Sequence, residues 1–183
     1  MDLEGVILIV GAPASGKTTI CRELANRMKC KCVSISELAR KEGLTLTYDE
    51  ARDTWVLDVK QVRKRVSELL TREKCLIIET IDPYSVPGPY ILGIAVRCPP
   101  MELKKRLKSR GYKEVKVREN LEYEVIDGPL YDLLRVMNLD RIVEINGCSK
   151  DLIKEIEYVL ERIENGGRFK KRFDWTEEFM KML

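Results

Sequence analysis

The sequence predicts an α/β fold in which helices cover both faces of a five-stranded parallel sheet. Five short apolar runs of strand character recur along the chain, and helical patterns separate most of them. Such alternation favours a parallel sheet that is buried on both faces. A chain of 183 residues with 44% hydrophobic content can build one substantial core, so we expect a single domain with appendages. The predicted strands cover residues 6–10, 32–35, 75–78, 91–96 and 141–145.

The first and last core helices have the clearest sequence patterns. Ile20 and Leu24 lie on one stripe of the first helix, and residues 152–163 repeat that spacing in the last core helix. Ser149 can cap this last helix, and the Asn-Gly-Gly at residues 165–167 can end it.

Prolines interrupt the remaining helical patterns. Three prolines between residues 81 and 90 predict a rigid loop rather than a helix. Gly128-Pro129 divides residues 119–137 into two helical pieces, with the proline in a first turn. We therefore predict a core domain at residues 1–166, followed by a basic and aromatic tail at residues 167–183.

The overall charge identifies no partner by itself. The chain has 33 basic and 30 acidic residues, which leaves a formal net charge of +3. Bulk electrostatics therefore does not indicate a nucleic-acid binder. No run approaches the length of about 18 apolar residues that a membrane span needs, and the N-terminal segment is acidic. We expect a cytoplasmic protein with no membrane partner.

The six cysteines show no C-x-x-C spacing and lie mostly in apolar segments. This pattern argues against a zinc site and favours buried thiols. A disulfide between neighbouring strands is the alternative. High charge content without any histidine is suggestive of a hyperthermophile, in which cytosolic disulfides occur.

The first predicted strand leads into a loop that matches a phosphate-binding motif. The segment "ILIVGAPASGKTTICREL", residues 7–24, fits G-x-x-x-x-G-K-S/T. Small residues let backbone N–H groups surround phosphates, and the positive end of the following helix dipole faces them. We expect Lys17 to bind the β- and γ-phosphates of ATP, and the Thr18 hydroxyl to ligate Mg²⁺. The residues expected to hold ATP in this loop are Gly11, Ala14, Ser15, Gly16, Lys17, Thr18 and Thr19.

An acidic residue near the end of the third strand is the second expected metal ligand. The loop motif indicates a P-loop NTPase but leaves GTPases, kinases and motor ATPases open. In such proteins a carboxylate at this strand end holds a water of the Mg²⁺ shell, and "CLIIET" contains Glu79. Glu79 is the leading candidate and Asp82 is the alternative. Either could also be a surface carboxylate at a strand end.

A strongly basic segment follows the fourth strand. Residues 104–118, "KKRLKSRGYKEVKVR", contain eight basic residues and one glutamate. In isolation such a run is typical of a solvated helix. Near a phosphate loop it favours arginines that close over the site and neutralise the charge of the transferred group. We expect Arg106, Arg110 and Arg118 to form this clamp around ATP.

Three stretches resemble the adenylate kinase isoenzyme 6 group of nucleoside monophosphate kinases: "GAPASGKTT", "TYDEARDTWVLDVKQV" and "KSRGYKEVKVRENLEYEV". "FDWTEEF" near the end is similar to the tail of archaeal members, so the resemblance covers nearly the whole chain. It implies a five-stranded parallel sheet, a monophosphate-binding segment at residues 34–57 and a short lid at residues 109–119. The implied reaction is ATP + AMP to 2 ADP, with Mg²⁺.

The resemblance also implies a role in assembly of the small ribosomal subunit. Members of the group hydrolyse ATP and bind a ribosomal protein. The implied partners of this chain are therefore AMP or a related monophosphate, a small-subunit ribosomal protein and the pre-ribosomal particle, in which 16S rRNA matures.

One position departs from the group. Where the resemblance predicts Asp-x-His after the third strand, this chain has Glu79-Thr80-Ile81, and it contains no histidine. A monophosphate acceptor is already ionised and needs no general base, so kinase chemistry can survive the change. Hydrolysis needs an oriented water, and our hypothesis is that Glu79 orients it. The expected catalytic residues are Lys17, Glu79 and Arg110.

The acceptor site is expected on the monophosphate-binding segment. Ser36, Arg40, Tyr48 and Asp49 lie where the segment of the related group closes over AMP. Arg40 is the expected phosphate partner, and an exposed helical arginine is the alternative. Asp58 fits better as the N-cap of the third helix than as a ligand.

The tail segment "RFKKRFDW" interleaves cations with aromatic residues. This pattern suits contact with rRNA, in which cations meet phosphates and rings stack on bases. The alternative is that the aromatic residues dock the tail on the core while the cations stay solvated.

Three functions stay open at this point. The first is a kinase that phosphorylates AMP or a related monophosphate. The second is a ribosome-assembly ATPase, and the third is a small-metabolite or polynucleotide kinase. The third would require a carboxylate base beside an acceptor hydroxyl, for which Glu79 or Asp82 could serve.

Overall fold

The computed structural model describes residues 3–50 and 54–182. The strands are β1 (Gly5–Gly11), β2 (Lys31–Ser34), β3 (Thr45–Asp49), β4 (Thr54–Leu57), β5 (Cys75–Thr80), β6 (Tyr90–Arg97) and β7 (Ile142–Asn146). Five of them form one sheet in the order β2-β5-β1-β6-β7, and every neighbouring pair in it is parallel. The five predicted strands overlap these five, so the predicted α/β fold is confirmed.

Helices cover both faces of this sheet. They are α1 (Lys17–Met28), α2 (Ile35–Glu42), α3 (Val59–Leu70), α4 (Pro100–Ser109), α5 (Glu114–Val125), α6 (Gly128–Leu134), α7 (Leu152–Asn165) and α8 (Thr176–Met180). Across residues 3–50 and 54–182, none of the helices combines the length and the apolar character that crossing a membrane requires.

Strand β1 lies in the middle of the sheet and is buried along its whole length. Its side chains alternate between the two faces because successive residues of a strand point in opposite directions. Val6 and Leu8 pack with residues of α3 and α6, whereas Ile7 and Ile9 pack with residues of α1 and α7. Both faces of β1 are therefore apolar. The carboxyl end of β1 lies in the middle of one edge of the sheet.

Helix α7 ends where the sequence predicts, but its N-cap is not the predicted residue. The N-cap is Asp151, whose carboxylate accepts the N–H of Lys154 at 3.3 Å. The prediction of Ser149 as the cap is wrong, because Ser149 lies two residues earlier and its hydroxyl accepts the N–H of Asp151. The helix ends at Asn165, and Gly166 follows with a φ of 65°, as predicted.

Two other helix starts agree with their predictions. Asp58 is the N-cap of α3, and its carboxylate accepts the N–H of Gln61 at 3.1 Å. Pro129 lies in the first turn of α6, where its missing N–H removes no helical hydrogen bond. The proline-rich crossover contains one short 3₁₀ turn, Pro83–Ser85, and no α-helix.

Strands β3 and β4 form an antiparallel hairpin that was not predicted from the sequence. The hairpin lies outside the main sheet, in the segment 34–57. Much of its apolar surface is exposed, with Leu46 68% and Trp55 54% accessible. The ring of Tyr48 meets the ring of Trp55 edge to face, with 5.1 Å between their centroids.

All six cysteines are paired, as Cys21–Cys32, Cys30–Cys75 and Cys98–Cys148. The expectation of buried thiols is therefore wrong, and the alternative of disulfides is borne out. The sheet explains two of the pairs, because β2 lies beside β5 and β6 lies beside β7, whereas Cys21–Cys32 joins α1 to β2. The Cα atoms of the three pairs are 5.2 to 5.6 Å apart, a separation that a disulfide can bridge.

Replacing both Cys30 and Cys75 by serine removes a cross-link between residues 45 positions apart. We expect the free energy of unfolding to fall by about 4 kcal/mol, because the unfolded chain regains loop entropy. The same replacement at Cys21 and Cys32, which lie 11 positions apart, should cost about 3 kcal/mol. Urea unfolding of both variants without reductant measures the difference. Titration of six free thiols in the denatured wild-type protein would contradict the pairing.

Candidate active site

The phosphate loop, residues 11–18, connects the central strand β1 to α1. Gly16 precedes the helix with a φ of 105°, a conformation that favours glycine. Like any helix N-terminus, the first turn of α1 presents N–H groups that have no intrahelical acceptor, and no side chain caps it. Together with the helix dipole, these groups form an anion-binding end at the edge of the sheet.

Lys17 is half-buried and folds back over the loop. Its ammonium donates hydrogen bonds to the carbonyl oxygens of Gly11 and Ala12 at 2.9 and 2.8 Å. Desolvation lowers the pKa of Lys17 to about 8, although the carboxylate of Glu79 acts in the opposite direction. Arg110 also lowers this pKa, which places its positive charge close to the loop. The ammonium therefore lies at the phosphate loop, bound to carbonyl oxygens of the loop itself.

Thr18 and Glu79 meet at the start of α1. The Thr18 hydroxyl donates to the carboxylate of Glu79 at 2.8 Å, and Glu79 is only 5% exposed. A hydroxyl and a carboxylate are hard oxygen donors, and Mg²⁺ typically takes one or two such protein ligands besides phosphate and water. The pair therefore fits Mg²⁺, as the sequence predicts.

Asp82, the alternative metal ligand, has another role. It is the N-cap of the 3₁₀ turn, and its carboxylate accepts the N–H of Tyr84 at 3.0 Å. Partial burial raises the pKa of Asp82. Between the two candidates, only Glu79 contacts Thr18.

The three predicted clamp arginines have different environments. Arg110 follows the last turn of α4 and lies close enough to affect the pKa of Lys17. Arg106 pairs with Glu102 at 2.8 Å, one turn earlier on the same helix. Arg118 pairs with Glu122 at 2.8 Å, and its side chain is 77% exposed. Among the three, Arg110 is the one whose charge affects the pKa of Lys17.

The predicted acceptor residues lie on α2 and on the hairpin. Ser36 is in the first turn of α2, and its hydroxyl is 3.1 Å from that of Ser34. Arg40 is in the last turn and is exposed. Tyr48 and Asp49 are on β3. Ala51 and Arg52 of the quoted "YDEAR" segment lie outside the described residues.

A buried ionic network surrounds the carboxyl ends of β6 and β7. The guanidinium of Arg97, which is 0% exposed, bonds Glu124 at 2.6 Å and Glu144 at 2.7 Å, and pairs with Asp127. Burial alone would lower the pKa of Arg97, but the three carboxylates outweigh burial and raise it. Burial raises the pKa of Glu124, and Arg97 opposes that change. The network joins the sheet to α5 beside the phosphate loop.

The tail does not match either prediction in full. Its aromatic residues dock, since Phe169 packs on the core and the Trp175 indole donates to Glu124 at 3.1 Å. Two of the four cations in "RFKKRFDW" are engaged by carboxylates of the core, because Lys171 pairs with Asp127 and the Arg172 guanidinium bonds Glu155 at 2.6 and 3.1 Å. The expectation that the cations stay solvated is therefore wrong for these two, whereas Arg168 and Lys170 are exposed.

Some features of the site were missed by sequence reasoning. Gly147 lies directly against the phosphate loop, and a β-carbon there would overlap the carbonyl oxygen of Ser15. The Asn146-Gly147 pair after a predicted strand was the available signal. Arg97 and Glu124 gave no signal, because an isolated charged residue in the sequence does not reveal a partner 27 positions away.

Comparison with known proteins identifies the family of this chain. The family model described as AAA domain matches residues 7–127. A protein named "Putative adenylate kinase" from Methanocaldococcus jannaschii is 32% identical over 177 residues, covering 97% of this chain and 96% of the relative. A protein of the same name from Methanosarcina barkeri is 34% identical over 162 residues, covering 86% and 85%.

A solved structure shows the same fold at lower identity. Shikimate kinase from Acinetobacter baumannii, in complex with shikimate, superposes with a TM-score of 0.52 and 18% identity, covering 89% of this chain and 94% of that one. The fold, the phosphate loop and the sequence relatives all indicate a P-loop kinase. The chain therefore belongs to the AAA-domain family, among the relatives of adenylate kinase, and is a phosphotransferase of the P-loop class.

Proposed function

We propose that the protein transfers the terminal phosphoryl group of ATP to a nucleoside monophosphate, with AMP as the first acceptor. One observation supports this proposal best. Ser34, the residue that precedes α2, is the register partner of Glu79 across β2 and β5. The segment that contains Ser36 and Arg40 therefore begins one strand away from the Thr18–Glu79 pair, so an acceptor held there would lie near the transferred group.

The residues of the loop divide the work of binding and charge neutralisation. The first-turn N–H groups of α1 and the ammonium of Lys17 bind phosphate oxygens of ATP. Thr18 and Glu79 would hold Mg²⁺, which supplies positive charge to the phosphates when it is bound. Arg110, on the predicted lid of residues 109–119, adds a mobile positive charge as the transferred group moves.

No histidine is needed for this reaction. The acceptor oxygen of a monophosphate is already ionised near neutral pH, so alignment and charge neutralisation supply the rate. Glu79 already accepts a hydrogen bond from Thr18, so it is better suited to the metal shell than to general-base catalysis. A small-metabolite kinase, which must deprotonate a hydroxyl, is correspondingly less well supported.

The second candidate is an ATPase that a protein partner stimulates, as the finer resemblance to the isoenzyme 6 group implies. The exposed apolar surface of the hairpin supports a partner, because Leu46 and Trp55 are more than half accessible. The predicted partner is a small-subunit ribosomal protein. Contact with rRNA through the tail has less support, since Lys171 and Arg172 are engaged with carboxylates.

Steady-state assays separate the candidates. ADP formation is measured with ATP and Mg²⁺ alone, with each nucleoside monophosphate added, and with a small-subunit ribosomal protein added. We expect rapid ADP formation that depends on AMP, because AMP supplies the ionised acceptor. Stimulation by the ribosomal protein alone would contradict the kinase and support the ATPase.

Replacing Arg40 with alanine tests the acceptor site. We expect the KM for AMP to rise about tenfold, because one charged contact with phosphate is lost, while the KM for ATP stays unchanged. Lys41→Ala is the matched control, since Lys41 is the neighbouring exposed cation on α2. Equal AMP kinetics in the two variants would remove Arg40 from the site.

Glu79→Gln tests the hypothesis that Glu79 orients the attacking water. We expect hydrolysis without an acceptor to fall by at least about 100-fold, because a neutral amide accepts a hydrogen bond from the attacking water less strongly than a carboxylate does. Binding of Mg²⁺ and ATP is measured in the same variant by calorimetry. If hydrolysis is untouched while Mg²⁺ binding is intact, Glu79 has no such role.

A further inference from the structure

The chain after α7 forms a C-terminal strap, residues 168–182, that crosses from the sheet edge to α4 and α5. These two helices meet at the predicted lid, residues 109–119, and are called the lid helices below. Its first half is anchored on β7 and α7. The backbone N–H of Arg172 donates to the carboxylate of Glu144 at 2.8 Å, and its guanidinium bonds Glu155 and lies 4.6 Å from the ring centroid of Tyr158. The strap therefore has a fixed origin on the core.

The second half of the strap caps α4. The carboxylate of Glu178 accepts the backbone N–H of Met101 at 3.0 Å, in the first turn of α4. The N-cap of that helix is Pro99, which provides no side-chain cap. A carboxylate at this position satisfies a free N–H group and interacts favourably with the helix dipole. The strap thus supplies the cap that α4 lacks, and α4 leads directly to Arg110.

The strap also holds α5 through a buried carboxylate. The indole N–H of Trp175 donates to Glu124 Oε1 at 3.1 Å, the same atom that accepts from Arg97. The other oxygen, Oε2, has no hydrogen-bond partner among the described residues. The Trp175 ring stacks on Phe173 with 5.4 Å between centroids. Loss of the indole N–H would remove one hydrogen bond from the buried carboxylate of Glu124, near the C-terminal end of α5.

Apolar contacts connect the strap to the phosphate loop. A cluster of buried residues, called the lid cluster, joins the phosphate loop to α4, α5 and the residue that follows β6. Its buried members are Ala12, Ala14, Cys98, Leu103, Leu107, Val117 and Leu121. Phe179 and Met182 of the strap pack against this cluster, as do Tyr123 and Cys148. A shift of the strap would therefore move the two lid helices relative to the loop.

We propose that the strap positions α4 and α5 so that Arg110 faces the phosphate loop during phosphoryl transfer, with Glu178 and Trp175 as positioning residues. This inference rests on the proposed function. The loop binds ATP in the ground state, whereas Arg110 acts on charge that develops in the transition state. Loosening the strap should therefore lower kcat and leave the KM for ATP unchanged.

The experiment compares point variants of the full chain in the AMP-dependent assay, well below their melting temperatures. Glu178→Ala should lower kcat about fivefold to tenfold, since small displacements of a catalytic charge are costly. Glu178→Gln keeps an acceptor oxygen for Met101 and should recover most of the rate. Trp175→Phe keeps the ring stacked on Phe173, removes the N–H donor and should lower kcat to a similar extent.

Glu177→Ala is the matched control. Glu177 neighbours Glu178 on α8, its side chain is 86% exposed, and it pairs with Lys181, the residue that follows Met180 at the end of that helix. Unchanged kcat in this control, together with the kcat-only losses and the rescue by glutamine, supports the proposal. Wild-type kcat in both Glu178→Ala and Trp175→Phe overturns it, whatever happens to the melting temperature. A wild-type protein without AMP-dependent ADP formation overturns the proposed function and this inference together.

Discussion

The backbone of the phosphate loop packs directly on the backbone of the loop that follows β7. A β-carbon on Gly16 would overlap the carbonyl oxygen of Gly147, and one on Gly11 would lie 2.7 Å from the carbonyl oxygen of Val96. These close approaches require glycine, because no side chain fits between the two backbones. They fix where α1 begins, and hence where Lys17 and Thr18 lie. The placement of the expected ATP and Mg²⁺ ligands depends on this contact.

Ion pairs connect the sheet edge beside the phosphate loop to α5. Arg97 is fully buried, and a buried charge is tolerated only when it is paired. Removing one partner of such a pair typically costs about 3–5 kcal/mol, so Arg97, Glu124 and Glu144 constrain one another strongly. Because these residues come from β6, α5 and β7, the network holds α5 to the sheet. The strap adds further cations and an indole donor to the same network.

The sequence predicted the features that have a local signal. Short apolar runs located the five parallel strands, and the glycine-rich motif located the phosphate loop. Thr18 of that loop lies close to Glu79, the carboxylate expected beside it. The hairpin of β3 and β4 was missed although Thr45–Asp49 and Thr54–Leu57 are rich in β-branched and aromatic residues. Disulfide pairing and the Arg97 network depend on which strands become neighbours. A single sequence does not encode that adjacency in any local pattern.

The central claim is that the phosphate loop binds Mg-ATP because its backbone is held open against Gly147. Isothermal titration calorimetry of Mg-ATP into the wild-type protein and into Gly147→Ala tests it most directly. The account predicts one site on the wild-type protein and an affinity at least about tenfold weaker in the variant, since a β-carbon would displace the loop. If the folded wild-type protein takes up no nucleoside triphosphate, or if the folded variant binds Mg-ATP equally well, the claim is contradicted.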